Sequence, residues 1–244
     1  MKTLLSLSLI LALTASCQNT NKSSMTKEIP LEQEAPQSQW ETLFDGTTLD
    51  QWRGYLKPGM SEQWSIVENA LVFTPGKEGG QNIITKNTYT SFELSLEWNI
   101  AEGGNSGIFW GVHENPEYPE AYQSGPEIQV LDNERHPDAF VGEGKHTAGA
   151  LYDMIAPSQD FTHPAGQWNQ VVIRIDQEAN QGTSSMNGEV IVTFPLHGPE
   201  WEAMVAGSKF ADWPVFGQFA TGHIGLQDHG DMVSYRNIKI KRLN

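Results

Sequence analysis

The sequence predicts an all-β fold, a sandwich or jelly roll of two packed sheets, from residue 40 to the C-terminus. Apolar residues recur there with a period of two, which places them on one face of each strand. Gly, Pro and Asn turn residues separate these runs into roughly a dozen strands. No segment has the convincing apolar period of an amphipathic helix. No internal repeat or linker divides the region, so we expect one domain at 40–244.

The individual strands follow from this pattern in chain order. The run FELSLEW predicts a strand whose apolar face consists of Phe92, Leu94, Leu96 and Trp98. NQVVIRID predicts a second, with an apolar face of Val171, Ile173 and Ile175. MNGEVIVTF predicts a hairpin with an Asn-Gly turn, and the inward positions of its second strand are Val190, Val192 and Phe194. HIGLQ and VSYRNIKIKRL predict the last two strands, and Glu200–Phe210 is compatible with one or two helical turns.

The first 16 residues predict a cleaved secretory signal. Lys2 supplies a positive start, and Leu4–Leu13 is an apolar run too short to span a bilayer. The small residues of LTASC then lead to Cys17, the only cysteine of the chain. A cysteine in this position is typical of a bacterial lipobox, in which the thiol is lipidated. The alternative is an ordinary signal with an unrelated cysteine, and Thr14 fits a lipobox less well than a large aliphatic residue.

Residues 17–39 are polar and contain little that could form a core, so they predict a tether between the lipid anchor and the domain. We therefore expect a lipid-anchored protein of the bacterial cell envelope that contacts the membrane only through its anchor. No acidic run follows Cys17, which favours the periplasmic side over the cell surface.

The charge of the chain excludes polyanionic partners. The full sequence carries −15, and removal of residues 1–16 takes away only Lys2, so the mature charge is 14 − 30 = −16. Such a charge without a basic patch repels nucleic acid. A neutral ligand is therefore expected. No cofactor is predicted with certainty, although the sequence leaves room for a divalent cation.

The strand PEIQVLD carries two polar residues on one face. Ile128 and Val130 suit the face that packs on a partner sheet, so Glu127 and Gln129 are expected on the opposite, concave face. Carboxylates and amides bind hydroxyl groups, and a concave face with aromatic walls suits a saccharide. The alternative is that Glu127 and Gln129 merely form a solvated face. This interpretation is less favoured as further polar residues are found on apolar strands.

Two other stretches carry candidate residues. In GGNSGIFWGV, glycines around Asn105 and Trp110 indicate close approach of a ligand, although a tight turn before a core strand explains them equally well. In IGLQDHGDMV, Gln227 and His229 follow the apolar end of a strand. A histidine between two aspartates suits a proton shuttle near neutral pH, and a surface-loop histidine is the alternative.

Weaker candidates lie in the region after the PEIQVLD strand. Asp132 begins the run DNERH, whose side chains could ligate a hard cation, but their spacing matches no known metal loop. In KHTAGALYDM, His146 and Tyr152 are candidates to join the polar face.

From about Trp40 to Leu243 the chain resembles the 3-keto-disaccharide hydrolase domain family. The matching pieces occur in family order and are LFDGTTLDQW, FELSLEWNI, NSGIF, PEIQVLD, TAGALYD, QWNQVVI, MNG and IGLQDHGDMVSYRNIKI. The chain departs from the family pattern in two places. Trp110-Gly111 stands where the family usually has an aliphatic residue and arginine, and Gly125-Pro126 replaces an aromatic residue before Glu127, so a change in sugar recognition is expected. The resemblance implies a concanavalin-like jelly roll that cleaves glycosides carrying a ketone at C3, with a neutral saccharide as substrate.

The chemistry that the resemblance implies begins at C2. A C3 ketone acidifies the C2 hydrogen, so a base can form an enolate, the C1 substituent leaves by β-elimination, and water adds back. Glu127 and His229 are the expected acid and base, in either order. The expected substrate-binding residues are Asn105, Trp110, Gln129, Asp132, His146, Tyr152 and Gln227. A divalent ion at the ketone is compatible with this scheme.

Two other functions remain open at this point. Ordinary retaining hydrolysis needs two carboxylates about 5 Å apart. Glu127 has an amide, Gln129, two positions along its strand, but Asp132 or a distant strand could supply the second acid. The other function is that of a non-catalytic carbohydrate-binding lipoprotein.

Overall fold

The computed structural model describes residues 39–76 and 80–243. The predicted signal, Cys17 and nearly all of the predicted tether lie outside the described residues. Within these ranges the chain forms 13 β-strands, one α-helix and three short 3-10 helices. No helix in the described part of the chain is long and apolar enough to cross a membrane.

The strands form two antiparallel sheets. The larger sheet contains β1 (Trp40–Phe44), β3 (Trp64–Val67), β4 (Ala70–Phe73), β6 (Phe92–Ile100), β9 (Asn169–Asp176), β10 (Gln181–Met186), β11 (Glu189–Phe194) and β13 (Val233–Arg242). Its spatial order is β11-β10-β9-β6-β13-β4-β3, with β1 also paired to β13. The smaller sheet contains β2 (Trp52–Gly54), β5 (Ile83–Thr85), β7 (Asn105–Val112), β8 (Glu127–Leu131) and β12 (His223–Leu226), in the order β2-β5-β12-β7-β8.

The two sheets pack face to face over one hydrophobic core, which confirms the predicted sandwich. Leu94 and Ile173 from the larger sheet share this core with Ile128 and Val130 from the smaller one, and all four are buried. Burying each of these aliphatic side chains contributes about 1.5–3 kcal/mol. Because Ile128 and Val130 face the core, the alternate residues of β8 must face away from it.

The β10–β11 hairpin confirms the predicted turn and corrects one inward residue. Asn187 and Gly188 both have positive φ, 49° and 94°, as this tight turn requires. The pairing register then skips Ile191, so the strand contains a bulge at that point. The bulge shifts the alternation, so Val190 is 59 % exposed and Ile191 is buried in its place.

The helical prediction near residue 200 is confirmed in part. Helix α1 (Pro199–Ala206) begins with a proline, which suits the first turn because its missing N–H needs no partner there. It ends before Gly207, whose N–H donates to the Ala203 carbonyl oxygen. The chain then continues as turns to residue 217, and these turns form one wall of the site described next.

Candidate active site

A cleft of about 650 Å³ lies on the face of the smaller sheet that points away from the core. This volume lies within the usual range for small-molecule sites. Its floor consists of Asn105 from β7, Glu127 and Gln129 from β8, and Gln227 at the end of β12. The expected convergence of these four residues on one face therefore holds, because β8, β7 and β12 are neighbours in the sheet.

Glu127 is the buried carboxyl of this floor, with only 7 % of its surface exposed. Its carboxyl lies over Gly107, where a Cβ atom would come within 1.8 Å of Glu127 Oε1. Gln129, with its amide oriented to satisfy both neighbours, donates from Nε2 to Glu127 Oε1 at 3.3 Å and to the Ser106 carbonyl at 2.9 Å. Gln129 was predicted to bind substrate, and this geometry makes it a residue that positions Glu127.

Burial raises the pKa of Glu127 to about 8. The ammonium of Lys209 opposes this shift by favouring the carboxylate, and Asp138 adds to it by repelling negative charge. A carboxyl with a pKa near neutrality can both take up and release a proton under physiological conditions. Proton transfer is therefore the chemistry that this position favours.

Two amide oxygens of the floor have no hydrogen-bond donor among the described residues. They are Asn105 Oδ1 and Gln227 Oε1, and both side chains are less than 10 % exposed. A buried acceptor without a donor costs free energy unless a ligand or water supplies one. Hydroxyl groups are such donors, so this floor fits a polyhydroxylated molecule.

The walls of the cleft contain residues that the sequence did not single out. The aromatic wall consists of Tyr122, Phe210, Trp213 and Phe216. The Tyr122 and Trp213 rings lie 5.9 Å apart, and Phe210 stacks on Phe216 at 3.8 Å. Aromatic faces of this kind pack against the C–H faces of sugar rings. Tyr122 lies in the short 3-10 helix Ala121–Gln123 and the other three lie in the turns after α1, where strand alternation gives no signal.

The aromatic wall leads to a prediction for substrate affinity. Trp213→Ala is expected to raise KM about tenfold, roughly 1.4 kcal/mol, because it removes the largest aromatic face beside the floor. Steady-state kinetics on a cleaved glycoside would measure this change. The matched control is Trp168→Ala, which removes an indole that packs under Arg236 on the larger sheet. An equal rise in KM for both variants would contradict the assignment of Trp213.

Tyr152 lies in the cleft, whereas His146 lies behind it. The His146 ring packs on Tyr152 with centroids 4.6 Å apart, and its Nε2 pairs with Asp153 Oδ1 at 2.8 Å. Asp153 also accepts the backbone N–H of Lys209, and the Lys209 Nζ lies 4.1 Å from the centre of the Tyr152 ring. His146 was predicted to bind substrate, but it supports Tyr152 and does not line the cleft.

Two other predicted binding residues lie outside the cleft. Trp110 was expected to form a wall, but its side chain is on the core face of β7 and packs against Phe194 of the other sheet at 5.5 Å. Asp132 is buried and holds its own loop by accepting N–H groups of Gly103 at 2.7 Å and Glu134 at 3.1 Å. Side chains alternate between the two faces of β7, and this alternation places Trp110 on the core face. Asp132 follows the last residue of β8, so it belongs to the loop and not to the strand that faces the cleft.

The cleft contains two further acids that the sequence did not identify, Glu120 and Asp228. Asn82 links them, since its Nδ2 donates to Glu120 Oε2 at 3.1 Å and its Oδ1 accepts the N–H of Asp228 at 3.0 Å. Burial, and then the nearby Asp228, raise the pKa of Glu120. A second carboxyl is therefore present in the cleft, although it is not the Asp132 considered above.

His229 lies at the rim of the same cleft as Glu127, as predicted. Its imidazole is exposed and stands beside His136 and Asp231, with one potential ligand atom of each within 4.8 Å of the others. This is the candidate metal-binding group that the described residues provide. It uses His136 from the DNERH run, but neither Asp132 nor Glu134.

Comparison with known proteins relates this chain to carbohydrate-active relatives. The model of the 3-keto-alpha-glucoside-1,2-lyase-like domain matches residues 39–241. A 3-keto-disaccharide hydrolase from Bacteroides thetaiotaomicron is 36 % identical over 231 residues, which cover 83 % of this chain and 78 % of that protein. A crystal structure from Parabacteroides distasonis, described as a candidate glycosyl hydrolase, is 26 % identical with a TM-score of 0.76, covering 84 % of this chain and 94 % of the other. A Bacillus subtilis protein of unknown function with a galectin-like fold is 13 % identical with a TM-score of 0.51 over 84 % of this chain and 94 % of its own, and shares the fold alone.

Proposed function

The chain belongs to the family of 3-keto-alpha-glucoside-1,2-lyase-like domains, and from that premise we propose that it cleaves glycosides whose sugar ring carries a ketone at C3. The observation that supports this proposal most strongly is the buried Glu127 carboxyl on a floor of unpartnered amide oxygens. The relative from Bacteroides thetaiotaomicron is named for the same class of substrate.

Glu127 is the proposed base. It takes the C2 proton, and the electron pair of the C2–H bond moves into an enolate whose negative charge lies on the C3 oxygen. Collapse of the enolate expels the C1 oxygen, which takes up the proton that Glu127 removed, and leaves a C1–C2 double bond conjugated with the ketone. Water then adds its oxygen to C1 and a proton to C2, so the net reaction is hydrolysis. A positioned base contributes about 10²–10⁴ in rate.

The other cleft residues have roles that follow from their charge and polarity. Among the described residues, Lys209 is the only Lys or Arg that lines the cleft. Its ammonium is therefore suited to stabilise the enolate oxygen. Asn105 and Gln227 accept hydrogen bonds from sugar hydroxyls. His229 is the second member of the predicted pair and approaches the substrate from the rim.

The raised pKa of Glu127 predicts the pH dependence of the reaction. The base must be ionised, and its pKa is about 8, so kcat/KM should rise about tenfold per pH unit below 8 and level off above it. Lys209, Asp138 and the hydroxyl groups of Tyr152 and Tyr235 are charged and titratable groups that interact with this carboxyl. A pH profile of kcat/KM would measure the effect. A decline of kcat/KM above pH 8 would instead identify Glu127 as the acid.

The substrate class can be tested with one pair of compounds. The purified protein is incubated with an aryl glucoside and with the same glucoside oxidised at C3, and aglycone release is measured. The proposal predicts release from the oxidised sugar alone. Release from both would favour ordinary hydrolysis, for which Glu127 with Glu120 or Asp228 supplies the two acids. Binding without release from either would favour a carbohydrate-binding protein.

We also propose that the domain is anchored in the cell envelope by lipidation of Cys17. This proposal is supported by the position of the single cysteine after a short apolar run and small residues. Metabolic labelling with a fatty-acid analogue should label the wild-type chain and leave a Cys17→Ser variant unlabelled. Labelling of both would place the lipid elsewhere.

A further inference from the structure

Three side chains that can ligate a metal meet at the rim of the cleft. His136 follows β8, whereas His229 and Asp231 lie between β12 and β13, so the group assembles from two distant parts of the sequence. One potential ligand atom of each lies within 4.8 Å of the other two. We propose that His136, His229 and Asp231 bind a first-row divalent transition-metal ion whose open coordination positions face the cleft.

The surrounding structure holds two of these ligands in place. Asp231 Oδ2 accepts the backbone N–H of Asn105 at 3.1 Å, which ties the β12–β13 loop to β7 and leaves Oδ1 available. Before metal binds, His136 Nδ1 accepts the N–H of Asp138 at 3.1 Å, which orients the ring and places its proton on Nε2, the nitrogen that ligates the ion once the proton has moved to Nδ1. The two imidazole rings lie edge to face, with centroids 6.2 Å apart.

The ligand set indicates the class of metal. Two imidazoles and one carboxylate suit Zn²⁺, Mn²⁺, Fe²⁺ or Co²⁺, because Mg²⁺ and Ca²⁺ prefer oxygen ligands. Three protein ligands leave at least one position for water or substrate, as in catalytic rather than structural sites. The chain has a net charge of −15, which favours a cation over an anion near the cleft.

The location of the triad gives the ion a role in the proposed reaction. This part of the inference rests on the proposed function. His229 lines the same cavity as Glu127, so an ion bound there would be reached by an oxygen of the sugar. Coordination of the C3 ketone oxygen withdraws electrons and makes the C2 hydrogen more acidic. His229 would then act on the substrate as a metal ligand, in place of the proton shuttle expected from the sequence.

Metal binding through His136 has a consequence that can be observed. When Nε2 ligates the ion, the ring proton must lie on Nδ1, so the ring can no longer accept the N–H of Asp138. The Asp138 amide must therefore find another partner when metal binds. This local change would appear as a shift of the Asp138 amide resonance and would not occur for a metal bound elsewhere.

The test uses the full chain without an affinity tag, treated with a chelator and then dialysed. Co²⁺, Zn²⁺ and Mg²⁺ are titrated separately by calorimetry, and the Co²⁺ absorption spectrum reports the ligand geometry. The proposal predicts one Co²⁺ or Zn²⁺ per chain, bound at least about tenfold more tightly than Mg²⁺. Asp231→Asn and His136→Gln should each weaken this binding about 100-fold or more. His197→Ala, which removes an exposed histidine outside the triad, should leave binding unchanged.

Asp231→Asn keeps an oxygen for the Asn105 N–H, so this variant is expected to fold, and circular dichroism checks both variants. Absence of stoichiometric binding to the wild-type chain would overturn the proposal. Equal binding by the wild type and Asp231→Asn would also overturn it. These titrations contain no sugar, so their outcome is independent of whether the protein cleaves 3-keto-glycosides.

Discussion

Glu127→Gln is expected to lower kcat by about 10²–10⁴, because the amide cannot take the C2 proton. The substitution keeps the size of the side chain, so substrate affinity should change little. Single-turnover cleavage of a 3-keto-glycoside by the wild type and the variant would measure the loss. A variant that retains full kcat would exclude Glu127 as the base. A variant that loses only affinity would support a binding role.

The same variant also provides a stability test that needs no substrate. The pKa of Glu127 is raised from 4.5 to about 8 in the folded chain. The folded state therefore holds this proton more tightly than the unfolded state, and the resulting stabilisation is complete below pH 4.5 and is lost as the pH rises to 8. The amide of the Glu127→Gln variant does not titrate, so the variant lacks this pH dependence.

Thermal unfolding at pH 5 and pH 8 would measure this effect. The Tm of Glu127→Gln relative to wild type should be higher at pH 8 than at pH 5, by several degrees, since each kcal/mol shifts Tm by roughly 2–4 °C in a domain of this size. A Tm difference that is the same at both pH values would show that burial does not raise the pKa of Glu127.

Gly107→Ala is expected to reduce kcat about 100-fold without replacing any titratable group. An alanine Cβ at this position would lie 1.8 Å from Glu127 Oε1 and 2.6 Å from its Cδ. The carboxyl must therefore move, and misplacement of a catalytic group by about 1 Å costs roughly 10² in rate. The clash involves the end of a flexible side chain, so the sheet itself should persist.

Kinetics and circular dichroism of Gly107→Ala would check this prediction. Gly59→Ala is the matched control, because a Cβ there meets no atom within 4 Å. Loss of activity in both variants would indicate a general effect of removing glycine. Full activity of Gly107→Ala would mean that the position of the carboxyl over β7 is not required for the reaction.

Strand alternation predicted the fold and the floor of the cleft, because both depend on a period of two. It placed Ile128 and Val130 in the core and Glu127 and Gln129 opposite them, and the structure agrees. The family resemblance is confirmed by the match over residues 39–241. The bulge at Ile191 marks the limit of this reasoning, since one inserted residue reverses the direction of its neighbours.

The walls could not be predicted in the same way. Lys209 and Trp213 lie in turns after α1, where the chain path depends on long-range packing rather than on local period. Trp110 was wrongly expected in the cleft because the glycines beside it suggested a ligand. Gly111 has a φ of 62°, and a Cβ there would come within 2.9 Å of the Phe219 carbonyl, so the chain itself requires this glycine.

The two departures from the family pattern have different locations. Trp110, which replaces an aliphatic residue, packs in the core and therefore makes no direct contact with the cleft. Gly125 lines the cleft, where it stands in place of an aromatic residue. A Cβ at Gly125 would lie 2.7 Å from Val112 Cγ2 and 2.9 Å from the Trp110 carbonyl oxygen, so the local packing itself requires glycine there. The change in sugar recognition expected from these departures stays a prediction.

The most direct measurement of proton removal at C2 is cleavage of a 3-keto-glycoside in D₂O. The released sugar is examined by NMR at early times, with free 3-keto-glucose and Glu127→Gln as controls for spontaneous exchange. We predict one deuterium at C2 of each product molecule, because the proton that Glu127 removed leaves with the aglycone and the one added to C2 comes from the solvent. Release of the aglycone with hydrogen retained at C2 would contradict the enolate route and leave direct displacement at C1.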